Sequence, residues 1–115
     1  MAEFSSSIKY QSNVAIISVK GFIDAHTAPS FEKVLADLTS AGRFKIVIDF
    51  GGLQYISSAG LGVLMGQIEY IRENNGDIKL VNLSKKVYKV FDLLGFTTLY
   101  ETFDDIEGGV KSFLN

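Results

Sequence analysis

The chain has 115 residues, 11 Lys plus Arg against 13 Asp plus Glu, and a formal net charge of −2. With 47% apolar and 21% charged residues it has the balance of a folded globular protein, too apolar for a disordered one, and the length suits one domain, taken as 1–115. It lacks the basic excess of a nucleic-acid binder. It has no cysteine for disulfides, thiol chemistry or zinc–thiolate sites, and its single histidine, His26, rules out a multi-histidine metal cluster.

Only carboxylates are left as ligands for hard cations, and no metal or cofactor is expected. No apolar run approaches the roughly 18 residues that cross a bilayer. Residues 1–7, Met-Ala-Glu-Phe-Ser-Ser-Ser, lack the basic start and apolar stretch of a signal peptide. The expectation is a cytoplasmic protein with neither nucleic acid nor membrane as a partner.

Ser7–Tyr10 is a short strand signal and Val14–Val19 a stronger one, rich in β-branched residues. Gln11-Ser12-Asn13 between them predicts a hairpin. Gly21–Ala25 reads as a loop, after which Thr27 is placed to cap a helix with Pro29 in its first turn. Ala28, Phe31, Val34, Leu35 and Leu38 then recur at helical spacing. Phe44–Phe50 contains Ile46-Val47-Ile48, the run of a central strand covered on both faces.

Gly51–Tyr55 reads as a connection. A helix starts near Ser57 or Ser58, with Leu61, Leu64, Met65, Ile68 and Ile71 as its apolar stripe and Asn74-Asn75-Gly76 as its end. Ile78–Val81 is the next strand. Ser84 caps a helix on Val87, Val90, Phe91 and Leu94, stopped by Gly95. Thr97–Phe103 reads as a short edge strand, and Asp104 or Asp105 opens a last helix on Ile106, Val110, Phe113 and Leu114.

The order β-β-α-β-α-β-α-β-α predicts an α/β fold. Its sheet has four to five strands, mixed and mostly parallel, with four helices, most on one face and the last capping an edge. Functional loops of such sheets lie at the carboxyl ends of the strands, here Gly21–His26 and Gly51–Ser58.

The densest signal is Tyr55-Ile56-Ser57-Ser58-Ala59-Gly60-Leu61-Gly62-Val63-Leu64-Met65-Gly66, at a strand-to-helix junction. One serine suits an N-cap. The alternative is a phosphate-bearing serine, which the helix dipole and unpaired first-turn N–H groups would favour. Gly62 and Gly66 inside a helix each cost about 1 kcal/mol relative to Ala. Either close packing on the sheet or a low-relief surface for a partner explains them.

Leu61 has the spacing of a core residue, and Tyr55 fits a sheet-end core position or a rim equally. Lys85, Lys86 and Lys89 form a small solvated basic face. A serine hydrolase is disfavoured: the nucleophile elbow Gly-x-Ser-x-Gly has Ile56 at its first glycine, and His26 precedes the serine. No Gly-Lys pair exists for a phosphate loop, and Gly60, Gly62 and Gly66 miss the dinucleotide spacing by one residue.

Ile56-Ser57-Ser58-Ala59-Gly60-Leu61-Gly62-Val63-Leu64, preceded by the Ile46–Phe50 strand, resembles the signature of the STAS domain, and more narrowly that of bacterial anti-sigma factor antagonists. Gly21-Phe22-Ile23-Asp24 is similar to the family's Gly-x-(Leu/Ile)-Asp segment. Val90-Phe91-Asp92-Leu93-Leu94-Gly95-Phe96 resembles its late helix and turn. The resemblance covers nearly the whole chain and implies a STAS-like fold.

It also implies partner switching. The unphosphorylated antagonist binds an anti-sigma factor that is a serine kinase. ATP-dependent phosphorylation of one serine dissociates the pair, and a serine phosphatase resets it. The acceptor maps to Ser58, with Ser57 standing where the family has an aspartate and offering a second hydroxyl. The implied partner-binding residues are Asp24, His26, Thr27, Ser57, Ser58, Gly60, Leu61 and Gly62. A STAS scaffold or nucleotide-sensing module without phospho-switching is the alternative.

Overall fold

The computed structural model describes residues 3–114. Five strands form one sheet in the order β1-β2-β3-β4-β5: Ser5–Gln11, Val14–Ile23, Lys45–Ile56, Asp77–Val81 and Thr102–Phe103. β1 runs antiparallel to β2 and the other neighbours are parallel. The β1–β2 hairpin turns on Ser12 and Asn13, both at positive φ (51° and 67°), as a two-residue turn between twisted strands requires.

The helices are α1 (Ala28–Ser40), α2 (Ser58–Glu73), α3 (Lys85–Leu93), α4 (Phe96–Leu99) and α5 (Ile106–Leu114), five where the sequence predicts four. The extra turn replaces most of the expected Thr97–Phe103 strand. Gly95 at φ 77° reverses the chain, the Thr97 hydroxyl donates to Asp92 and that of Thr98 to the Gly95 carbonyl. Tyr100 is buried and stacks on Phe96 at 5.7 Å. Only Thr102 and Phe103 remain to pair with β4.

Alternation along the strands sorts the core into two layers. Ala15, Ile17, Val19, Ile46, Ile48 and Phe50 face α1, α2 and α3 through Phe31, Leu35, Leu64, Ile68 and Phe91. Val14, Ile16, Val47 and Val81 face the other way, onto Val110. The last helix therefore covers the second face of the sheet, not an edge as the sequence predicts. The Ile46-Val47-Ile48 run needs this, because a central strand buried on both sides requires a lid on each. Asp105 starts α5 by accepting from the Gly108 N–H at 2.8 Å.

Two expected loops are strand. β2 continues to Ile23 and β3 to Ile56, past the glycines that read as breaks. The register shifts between Ser18 and Lys20 and between Gly21 and Phe22, so the glycines sit at irregularities in the ladder. A Cβ on Gly52 would lie 2.6 Å from Lys20 Cγ, and Gly21 is at φ 90° with Glu3 O inside contact distance of any Cβ. β4 ends its pairing at Val81, opposite Asp49, while β2 and β3 stay paired to Ile23 and Ile56. The two strands thus project as a ribbon beyond the rest of the sheet. Among the described residues no helix is long and apolar enough to cross a membrane.

Candidate functional site

The ribbon ends in two neighbouring features. The Ser57 N–H donates to the Ile23 carbonyl at 2.8 Å, so the start of α2 and the loop 24–27 lie side by side. Ser57 is the N-cap residue, in extended conformation (φ −95°, ψ 175°), and its carbonyl accepts from the Leu61 N–H at 3.1 Å. Its hydroxyl makes no cap bond: Oγ is buried and has no partner. The first-turn N–H groups therefore receive nothing from the side chain that usually satisfies them.

Exposure falls steadily over the next residues. Ser58 is exposed, Ala59 is half-buried, and Gly60 and Leu61 are buried. Gly60 is tightly enclosed: a Cβ there would stand 2.6 Å from Ile23 Cγ2 and 2.8 Å from Ile56 Cγ1. Its bareness lets α2 rest on the ends of both ribbon strands. Leu61 joins the main core. Gly62 and Gly66 are exposed with nothing within 4 Å of a Cβ. Close packing on the sheet is thereby ruled out as their reason, and they leave bare backbone on the outer face of α2.

Beside them, Asp24 Oδ1 accepts from the N–H of His26 at 2.9 Å and of Thr27 at 3.0 Å. The Thr27 N–H first, and the His26 N–H with it, hold the Asp24 carboxyl below its ordinary value, against a smaller opposing effect of burial. The Thr27 hydroxyl accepts from the Asp24 N–H at 2.9 Å and lies 2.8 Å from the Phe22 carbonyl and 3.2 Å from Asp24 Oδ1. Its single proton goes to the nearer acceptor, Phe22.

Thr27 is thus the N-cap residue of α1 by position but makes no side-chain cap bond. It braces the loop from inside. Asp24 is half-buried and His26 exposed.

The expected partner-binding residues lie at different depths. Thr27, Gly60 and Leu61 are buried in the free chain. Ser57 presents backbone rather than a hydroxyl. The accessible members are Asp24, His26, Ser58 and Gly62. Met65, expected in the apolar stripe of α2, is 52% exposed, because Leu61, Leu64, Ile68 and Ile71 already fill the buried face. Leu94, expected in the core beside Phe91, is 58% exposed, since α3 ends one residue earlier.

Tyr55 is 45% exposed, a rim position. The sequence reading missed its partner Phe22, whose ring centroid lies 6.3 Å away on the paired strand. The Phe22–Tyr55 pairing was hidden by reading both segments as loop.

Comparison with known proteins agrees with this architecture. The STAS domain family model matches residues 5–108. The anti-sigma-B factor antagonist of Bacillus subtilis (strain 168) is 30% identical over 104 residues, covering 90% of this chain and 94% of that protein. The crystal structure of an anti-sigma factor antagonist from Mycobacterium paratuberculosis superposes with a TM-score of 0.90 at 19% identity, over 98% of this chain and 96% of that one. The Bacillus cell fate determinant SpoIIAA, in its phosphorylated form, superposes with a TM-score of 0.73 at 19% identity, over 96% and 100%. A ribbon-borne helix start, a sheet covered on both faces and a family match across most of its length place this chain in the STAS domain family.

Proposed function

We propose that this protein is an anti-sigma factor antagonist whose partner is released by phosphorylation at Ser58. The observation that carries the reading is the exposure of Ser58 among neighbours that turn inward. The B. subtilis relative is named for antagonism of an anti-sigma-B factor, which supplies the partner class. That partner is an anti-sigma factor with serine-kinase activity. Ser58 Oγ attacks the γ-phosphorus of ATP, the bond to the ADP oxygen breaks, and the hydroxyl proton passes to a base on the kinase. A serine phosphatase reverses the state with water, releasing inorganic phosphate.

Ser57 is the less suitable acceptor, since its Oγ is buried and an in-line phosphoryl group has no approach to it. The phosphate adds about −1.5 to −2 charges at pH 7. It arrives at a helix N-terminus whose N–H groups are free to meet it, so the fold tolerates it locally. It also stands in the docking face beside the Asp24 carboxylate. A partner surface shaped for a neutral hydroxyl then faces an added anion, a mismatch of several kcal/mol. A loss of about 4 kcal/mol weakens binding roughly a thousandfold.

The test is incubation with ATP and a candidate kinase, followed by mapping of the phosphate by mass spectrometry. Label on Ser58, absent from Ser58→Ala, supports the reading. An undiminished label in Ser58→Ala moves the acceptor elsewhere. Complete absence of label, with the partner still bound, leaves a scaffold without a phospho-switch.

A further inference from the structure

One face of α2 is not used by the switch. Met65, Ile68, Glu69, Arg72 and Glu73 line an open groove of about 500 Å³ that Leu99 of α4 closes on the far side. We infer that this groove is a second docking surface, built for a basic amphipathic helix of a partner protein. The inference goes beyond the phosphorylation of Ser58 and does not depend on it.

The floor is apolar. Met65 is exposed over half its surface, and Ile68 and Leu99 line the groove with it. Large apolar side chains gathered at one corner are the usual mark of a protein contact. The unbranched Met65 adapts its shape to what packs on it. The walls fix the sign of the partner. Glu69 and Glu73 stand one turn apart on α2, and like charges at that spacing destabilise a helix. Neither forms an ion pair among the described residues.

Arg72, the cation between them in sequence, lines the groove but is already paired: its Nε bonds Asp77 at 3.0 Å and its Nη2 donates to the Leu99 carbonyl. The rim therefore shows two uncompensated carboxylates, which lysines or arginines flanking an apolar stripe would neutralise.

Its length fits a helix. Met65 to Glu73 is about 12 Å of α2 at 1.5 Å per residue, a little over two turns. The protein's own last helix is on the opposite face of the sheet. A second copy offers Lys85, Lys86 and Lys89 on α3. That contact is head-to-tail, though, and such contacts build filaments unless the rotation closes.

The test follows backbone amide shifts by NMR on the intact chain during titration with synthetic helical peptides of about three turns. One has a leucine face flanked by lysines, one replaces the leucines by alanine, and one replaces the lysines by glutamate. The Leu/Lys peptide is expected to shift amides of 65–73 and 96–99, with the other two at least about tenfold weaker. The double variant Glu69→Gln/Glu73→Gln, exposed and isosteric, is expected to lose roughly tenfold for the Leu/Lys peptide.

Equal binding by the Ala/Lys peptide overturns the inference by showing charge alone. So do shifts centred on Asp24 and Ser58 or elsewhere, or an unchanged affinity in the double variant. A mass that grows with concentration without peptide, and stops growing in the double variant, also overturns it by assigning the groove to a second copy. All arms use unphosphorylated protein, so a failure at Ser58 and a failure here are read separately.

Discussion

The Ser57 N–H donates to the Ile23 carbonyl at 2.8 Å, joining the first residue before α2 to the last residue of β2. That bond belongs to the last pair of the parallel ladder, Ile23 with Ile56, and sets the Asp24 loop beside the start of α2. Two segments more than thirty residues apart thereby form one surface. The Ser57 side chain plays no part in it.

Ser57 and Ser84 both precede helices, yet their hydroxyls act differently. Ser84 Oγ accepts from the Val87 N–H at 3.1 Å, whereas Ser57 Oγ is buried without a partner. Ser84→Ala is expected to cost about 1 kcal/mol, the usual worth of a cap. Ser57→Ala removes a hydroxyl that lost water and gained nothing, so stability stays level or rises by up to about 1 kcal/mol. Urea denaturation of both variants checks the contrast. A loss in Ser57→Ala as large as in Ser84→Ala would show that the hydroxyl is bonded after all.

Asp24 links the loop to pH. Its folded pKa lies below the ordinary value of 3.8 because the Thr27 and His26 N–H groups stabilise the carboxylate. A depressed carboxyl contributes stability that is complete above the unfolded pKa and disappears as pH falls through the folded one. Asn at this position keeps an acceptor for the same N–H groups but loses the charge. Asp24→Asn is therefore expected to have a lower urea midpoint than the parent near neutral pH. The gap should narrow as the pH falls below 3.8 and close once it is below the folded pKa, where the parent carboxyl is protonated in both states. A gap that stays constant with pH would assign the effect to shape.

Tyr100 carries the other buried hydroxyl without a partner. Burial pushes the phenol pKa well above its ordinary value, opposed by the nearby Arg72 cation. Its ring stacks on Phe96 and anchors the α4 turn. Tyr100→Phe keeps the ring and deletes the orphan oxygen, so it is expected to raise stability by about 1 kcal/mol. Thermal unfolding reads it, and a drop of similar size would reveal a bonded hydroxyl.

The parts of the fold legible in sequence were those written in one local pattern. Val14–Val19, Ile46–Phe50, the Leu61–Leu64–Ile68–Ile71 stripe and the Ser84 and Gly95 boundaries each rest on period or capping. Gly21 and Gly51-Gly52 misled because glycine marks both a turn and a strand irregularity. Only the neighbouring strand decides which, here through Lys20 against Gly52. The side of the sheet taken by α5 was likewise a tertiary choice, set by Val47 and Val81 needing cover.

At the site, the motif located Ser58, but its exposure and the burial of Thr27, Gly60 and Leu61 depend on how α2 meets the ribbon. Periodicity already gave Leu61 the spacing of a core residue. Nothing local separates Gly60 from Gly62.

Those two glycines, with Gly66, give opposite expectations for the same substitution. Gly60→Ala drives a methyl into Ile23 and Ile56 at 2.6 and 2.8 Å, lifting α2 from the ribbon at a cost of about 1–3 kcal/mol. Gly62→Ala and Gly66→Ala meet only solvent and remove a helix penalty, each gaining about 1 kcal/mol. On the proposed reading, the anti-sigma partner approaches over this open outer face. Combined Gly62→Ala/Gly66→Ala is therefore expected to unfold at higher urea yet bind the anti-sigma partner more weakly, by roughly tenfold or about 1.4 kcal/mol. Denaturation and calorimetric titration on the same sample separate the two effects. Higher stability with undiminished binding would mean that no partner touches this face.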